Sequence, residues 1–206
     1  MIADITIMIS VLFIAMMSPG PDMMLILRYN LSSAPRSSLF CILGVCAGLC
    51  IHILLALIGF AALIASGGLA YQIIKLVGAA YLMYIGFQIY NAPRHSTNID
   101  GPNTLAKTAT YKKAFHQGFI TNLLNPKVMI FTLALFTQIM TPDDPIAHKL
   151  IMTGIMLFTV FSVWCAFVMI TRQSIFLRFL KKYEHRLNIT FGILLILFGG
   201  VLALKP

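Results

Sequence analysis

Two charged residues sit where an apolar chain would be expected to exclude them. Asp22 lies in "MMSPGPDMM", residues 16–24, and Lys127 lies in "LLNPKVM", residues 123–129. Each follows a proline directly, and each is surrounded by a long apolar run. A carboxyl group in such a place can gain and lose a proton or hold a cation, and an ammonium can hold an anion. Both are costly there unless they are paired or wet.

The neighbouring residues explain how a backbone could carry them. Proline lacks an N–H and suits the first position of a helix, while Gly20 and Asn125 are both acceptable N-caps. Each break is therefore expected to start a second half-helix, at Pro21 and at Pro126. A half-helix beginning at mid-membrane exposes N–H groups and a positive dipole end, which favours an anion such as a carboxylate. Asp22 suits that dipole and Lys127 opposes it. Lys127 thus needs compensation, and the two side chains are expected to face each other or to share a wet cavity. Ser18, Pro19, Gly20 and Pro21 on one side, and Asn122, Asn125 and Pro126 on the other, complete the expected site. Asn122 lies about one turn before the second break, on its face. The alternatives are a loop between two short helices, a structural proline kink, or a Lys127 that snorkels towards an interface.

The rest of the chain shows what positions these groups. Hydrophobic residues make up 59% of the 206, against about 45–50% in soluble domains, and charged residues only 10%, against about 25%. Mean hydropathy is +0.90. So little charge could not cover the surface of a soluble domain of this size; the composition is that of an integral membrane protein. The net charge of +9 lies at span ends and in polar segments, with no basic stripe interleaved with aromatics, so nucleic acid is not an expected partner. The start, "MIADITIMIS", carries no Lys or Arg, and the first span is expected to be retained.

Apolar runs near 5–30, 39–65, 70–91, 114–140, 148–171 and 186–204 are each long enough to cross a bilayer, which takes about 20 residues. Eleven basic residues fall on one side: Arg28, Arg36, Arg94, Lys107, Lys112, Lys113, Arg172, Arg178, Lys181, Lys182 and Arg186. Only Lys149 and Lys205 fall on the other. This asymmetry predicts both termini outside and the polar segment 92–113 in the cytoplasm. Residues 1–91 and 114–206 would then be three-helix repeats entering the membrane in opposite directions. The expected fold is an all-α polytopic membrane protein of six spans, with the first helix of each inverted repeat broken at proline.

At these residues the chain resembles a known family. "SPGPD", "KLVGAAYLMYIG" at residues 75–86 and "GFITNLLNPK" at residues 118–127 are similar to motifs of the lysine-exporter superfamily, best of its resistance-to-homoserine/threonine branch. Size, span number and motif order agree over the whole chain. The resemblance implies export of amino acids from the bacterial cytoplasm across the inner membrane, driven by the proton motive force. It identifies no substrate. A single intramembrane acid favours neutral amino acids such as threonine, homoserine or leucine, and Asp22 is the expected meeting point of substrate and proton.

Other residues support plainer readings. His52 either relays protons or bonds a backbone carbonyl. Gly44 and Gly48 read as close helix packing, and Gly78, Tyr81 and Tyr84 as a packing stripe. Gln117 is expected near the cytoplasmic end, and Trp164 is too isolated to interpret. Cys41, Cys46, Cys50 and Cys165 read as packing residues. A six-span thiol oxidoreductase is the rival from another class, but neither break carries a cysteine; a non-transporting assembly subunit is a third. No enzyme motif, metal site or cofactor site stands out in the sequence. A homo-oligomer is compatible with the composition.

Overall fold

Three helices begin on a proline, the residue whose missing N–H costs nothing in a first turn. The computed structural model describes residues 2–17, 20–31, 35–66, 68–91, 110–141, 144–171 and 174–204. Among these the regular elements are eight helices and no strand. They are α1 (Ile2–Met17), α2 (Pro21–Asn30), α3 (Pro35–Ser66), α4 (Gly68–Tyr90), α5 (Tyr111–Leu123), α6 (Pro126–Ile139), α7 (Ile146–Thr171) and α8 (Ser174–Leu204).

Two helical segments are long and apolar enough to cross a membrane by themselves, Arg36–Gly59 of α3 and Ile146–Thr171, which is α7. Two further spans result if each bent pair counts as one. The α1–α2 pair bends by 69° and the α5–α6 pair by 61°. Shorter apolar segments, Leu76–Tyr90 and His185–Val201, lie in α4 and α8. Large apolar side chains face outwards on these helices: Leu54 and Ile58 on α3, Phe87 on α4, Phe158 on α7 and Val201 on α8. A membrane protein turns such faces to lipid, where no water penalises them.

Small residues set which helices meet. A Cβ on Gly48 would lie 2.8 Å from Asn122 Oδ1, and one on Gly44 or Gly118 would run into the backbone at Phe115 or Cys41. α3 and α5 therefore pack with their backbones in near contact, as the Gly44/Gly48 spacing led us to expect. α4 meets α8 in the same way, a Cβ on Gly86 falling 2.7 Å from Gly192 O. Gly78 packs on Ala134 of α6, and Tyr81 is half-buried, whereas Tyr84 is exposed.

Two helices extend beyond the expected spans, although the apolar segment His185–Val201 agrees with the last of them. The basic stretch around residues 178–186 is helical, because α8 begins at Ser174, twelve residues before the expected span. No Pro or Gly interrupts the sequence between Ser174 and Gly192, and its Leu, Arg and Lys residues favour helix beyond the apolar window. Likewise α5 starts inside the expected linker, with Thr110 as N-cap accepting a bond from Lys113 N.

At its far end α2 is tied to two neighbours. Tyr29 donates its hydroxyl to Gln117 Oε1 at 2.6 Å. Asn30 Nδ2 donates to Val168 O and to Thr171 Oγ1, both at 2.8 Å. These bonds hold the short half-helix against α5 and α7, so Gln117 is engaged as well as half-buried.

Candidate functional site

The second break shows how local chemistry builds the site. In an unbroken helix the N–H of residue 126 would bond the carbonyl of Asn122, but Pro126 has no N–H. Two other donors take that carbonyl instead. Asn125 N donates to Asn122 O at 3.0 Å, and His52 Nε2 lies 3.1 Å from the same oxygen. A carbonyl only accepts, so His52 Nε2 is the donor in this bond. His52 is buried, and Nδ1 has no hydrogen-bond partner. The plainer of its two expected roles, a bond to a backbone carbonyl, is therefore present.

With its backbone fixed, Asn122 turns its side chain to the other half. Asn122 Nδ2 donates to Asp22 Oδ2 at 2.8 Å, joining α5 to the first turn of α2 across one hundred residues of sequence. Both side chains are buried, Asp22 to 7% exposure and Asn122 to 2%. Asp22 Oδ1 has no partner. The Asn125 side chain is also close to this carboxylate, and the charge of Lys127 acts on it. A hydrogen bond to a charged partner contributes about 1.5–3 kcal/mol, more than a neutral one. The Asn122–Asp22 bond is, with Tyr29–Gln117, a direct polar tie between the two broken pairs.

The two half-helix starts differ. Asn125 caps α6, its Oδ1 accepting from Lys127 N at 3.1 Å while its carbonyl accepts from Val128 N and Met129 N. The expected free N–H groups of this half-helix are consequently taken up by the cap, and any anion there must depend on the Lys127 side chain and the dipole. Gly20 at the start of α2 has extended backbone and no side chain with which to cap. Asp22 and Lys127 hold equivalent places, each following the proline that starts its half-helix.

Between them lies a cavity of about 80 Å³. A single water requires about 10–15 Å³ on the same measure, so there is room for a small solute. Gly20, Asp22, Asn122, Asn125 and Lys127 form its polar end. Among the described residues Asp22 and Lys127 close no ion pair with each other; they share a cavity. The remaining walls are almost wholly apolar: Leu12, Ala15, Met16 and Met23 from the first pair, Val45 and Leu49 from α3, Val128 and Phe131 from α6, and Met156, Val160 and Trp164 from α7. Thr132 and Trp164, whose indole carries an N–H donor, are the other lining residues with polar atoms. Trp164 is buried and meets Phe167 edge to face at 5.6 Å.

Of the residues expected from sequence, five line this cavity. Pro21 starts α2 with its ring exposed, away from the lining. His52 stands behind Asn122, off the cavity wall. Ser18 and Pro19 fall outside the described residues, and of Pro126 only the backbone is described. Sequence reasoning missed Trp164, Phe131 and Thr132, which carry no motif; that Trp164 is the single tryptophan was the one available signal. No cysteine lines the cavity, so the requirement of a thiol oxidoreductase is not met there.

Gly48 gives a structural test of this arrangement. Its missing side chain makes room for Asn122 Oδ1. Gly48→Ala is expected to lower the melting temperature of the detergent-solubilised protein by several degrees, since overpacking costs about 1–3 kcal/mol. Gly154→Ala, with open space at its Cβ, should leave it unchanged or raise it. Equal melting temperatures for the two variants would contradict the close α3–α5 contact.

Comparison with known proteins bears on what such a site is for. The family described as "LysE type translocator" matches residues 13–206. The homoserine/homoserine lactone efflux protein of Salmonella typhimurium is 32% identical over 189 residues, 91% of this chain and 89% of that one. The protein of the same description from Salmonella typhi is 31% identical over 189 residues, with 91% and 89% covered. The uncharacterized membrane protein YrhP of Bacillus subtilis is 30% identical over 156 residues, 73% of this chain and 74% of its own. No solved structure matches the chain.

Proposed function

The chain belongs to the LysE type translocator family, and from that premise we propose that it exports neutral amino acids from the cytoplasm in exchange for protons. Membership makes it an amino-acid efflux transporter of the membrane, not an enzyme. The observation that carries the finer reading is the shared cavity, where a buried carboxylate and an ammonium arrive from two half-helices.

A zwitterionic amino acid complements those two groups. Its ammonium takes the unpartnered Asp22 Oδ1, and its carboxylate takes Lys127 at the positive end of α6. The apolar walls then receive the side chain, and the absence of a second acid there favours neutral over cationic substrates. Asp22 can hold a proton or a substrate ammonium, but not both. Such competition couples the two: arrival of substrate from the cytoplasm releases the proton, and arrival of a proton from outside releases the substrate. Asn122 and Asn125 keep the carboxylate in place through the cycle, and His52, through the Asn122 carbonyl, holds the break itself.

The frame we propose is six spans in two inverted three-helix repeats, residues 1–91 and 114–206, joined by a cytoplasmic linker over 92–113. Two bent pairs at corresponding places support it, as does the placement of Lys and Arg. Both termini then lie outside the cytoplasm, in the inner membrane of a bacterium. Alternating access would rock one repeat against the other about the cavity.

Cells loaded with individual dipeptides test the reading. The protein is expected to raise release of at least one neutral amino acid several-fold over cells lacking it. Equal release for every neutral and cationic residue tried would count against export.

A further inference from the structure

We propose that α2 is a gate, holding the cavity shut from the basic end of the bundle through the hydrogen bonds of Tyr29 and Asn30, and that substrate enters when these bonds release. The assignment rests on the export reading above, in which substrate arrives from that end.

The cavity draws unevenly on the helices that reach it. From α2 it takes only Asp22 and Met23 of the first turn, from α5 only Asn122 near its last residue, and from α7 nothing after Trp164. The rest of α2 runs towards the end that carries Arg28, Lys112 and Lys113, all exposed. That path is filled: Ile26 and Leu27 of α2 and Phe167 of α7 are buried beyond the lining. Past them stands a polar layer, Tyr29 on Gln117 at 2.6 Å and Asn30 on Val168 O and Thr171 at 2.8 Å. Thr171 is itself fixed, its hydroxyl donating to Phe167 O at 2.7 Å. It follows Trp164 by seven residues, about 10 Å along the helix axis. A solute from the basic end therefore meets about two turns of closed packing before it reaches the cavity wall.

The chemistry of this layer suits a closure that opens. Neutral hydrogen bonds exchange for bonds to water at little net cost. A wholly apolar closure would offer nothing to the water that enters with a substrate, whereas these groups do. The element that moves is α2 rather than α5. α5 lies backbone to backbone on α3 at Gly44 and Gly118 and cannot swing without losing that contact. α2 is a half-helix of 10 residues, entered at Gly20 with extended backbone and no side-chain cap. A swing about Gly20 displaces Asp22 little and displaces Tyr29 and Asn30, at the far end, most. The carboxylate stays at the pivot while the far end opens, as in other hinge motions.

The test places one thiol in the cavity wall, Val160→Cys, in a chain with Cys41→Ala, Cys46→Ala, Cys50→Ala and Cys165→Ala. A charged, membrane-impermeant methanethiosulfonate reads access to it separately in inside-out and right-side-out vesicles, with no substrate needed. Tyr29→Phe together with Asn30→Leu keeps the bulk of both side chains and removes their bonds. This pair is expected to speed labelling in inside-out vesicles at least about tenfold, through a larger open population, and to leave the right-side-out rate within about twofold. An unchanged inside-out rate overturns the gate, and so does an equal rise on both faces, which reports general loosening. A second measurement does not depend on the folding of that variant. With Tyr29→Cys and Gln117→Cys in the cysteine-free chain, a short bifunctional maleimide is expected to abolish counterflow of a neutral amino acid. Each single substitution, treated alike, should keep its own untreated rate. Counterflow that persists in protein whose cross-link is confirmed by mass overturns the gate. A protein that moves no amino acid before cross-linking counts against the export reading, and the labelling rates still decide the gate.

Discussion

Export by Asp22→Asn is expected to fall at least about 100-fold, the equivalent of some 3 kcal/mol, because a buried ammonium then loses its only charged acceptor. The substitution is nearly isosteric, and the new amide oxygen can still accept from Asn122 Nδ2. The tie between the two broken pairs therefore persists, and the variant should insert and melt like wild type. What it lacks is the charge. Amino-acid release from dipeptide-loaded cells measures the effect. Release within about twofold of wild type would mean that neither substrate nor proton depends on this carboxylate.

Lys127→Met carries the second large effect. Methionine has a similar length and no charge, so cavity shape is conserved while the anion-holding group is removed. In counterflow with purified protein, the substrate concentration for half-maximal exchange should rise about 10- to 100-fold, following the loss of one charge-assisted hydrogen bond. Lys127→Arg keeps the charge and should be affected far less. These two variants separate the proposed role from snorkelling: a lysine that only reaches for an interface would give Met and Arg variants of equal, near wild-type affinity.

The polar end of this site was legible in the sequence because its causes are local or scarce. Proline and its cap announce a helix start wherever they occur, and α2 and α6 begin at Pro21 and Pro126 as the residues require. Charges inside apolar runs are few, so Asp22 and Lys127 could be singled out without knowing the fold. Gly44 and Gly48 likewise announced a close helix contact, though only the structure names α5 as the partner and Asn122 as the group lodged against Gly48.

The apolar end was not legible. α7 is hydrophobic on every side, so no periodic pattern distinguishes the face carrying Met156, Val160 and Trp164 from the face that meets lipid. The consequence of Asn125 as a cap was also hidden. Its residue type forecasts a capped start, but that the cap would use up the N–H groups expected to receive an anion follows from geometry alone. The length of α8 was not legible because the apolar window, which marks the bilayer, starts later than the helix does.

In the proposed cycle Asp22 joins substrate movement to proton movement. Proteoliposomes containing a pH indicator measure it directly, when a transported neutral amino acid is added to wild type and to Asp22→Asn. Wild type should show a proton flux that begins with the amino acid and runs opposite to it, and Asp22→Asn should show none. A substrate-dependent proton flux that survives in Asp22→Asn would contradict the coupling assigned to this residue.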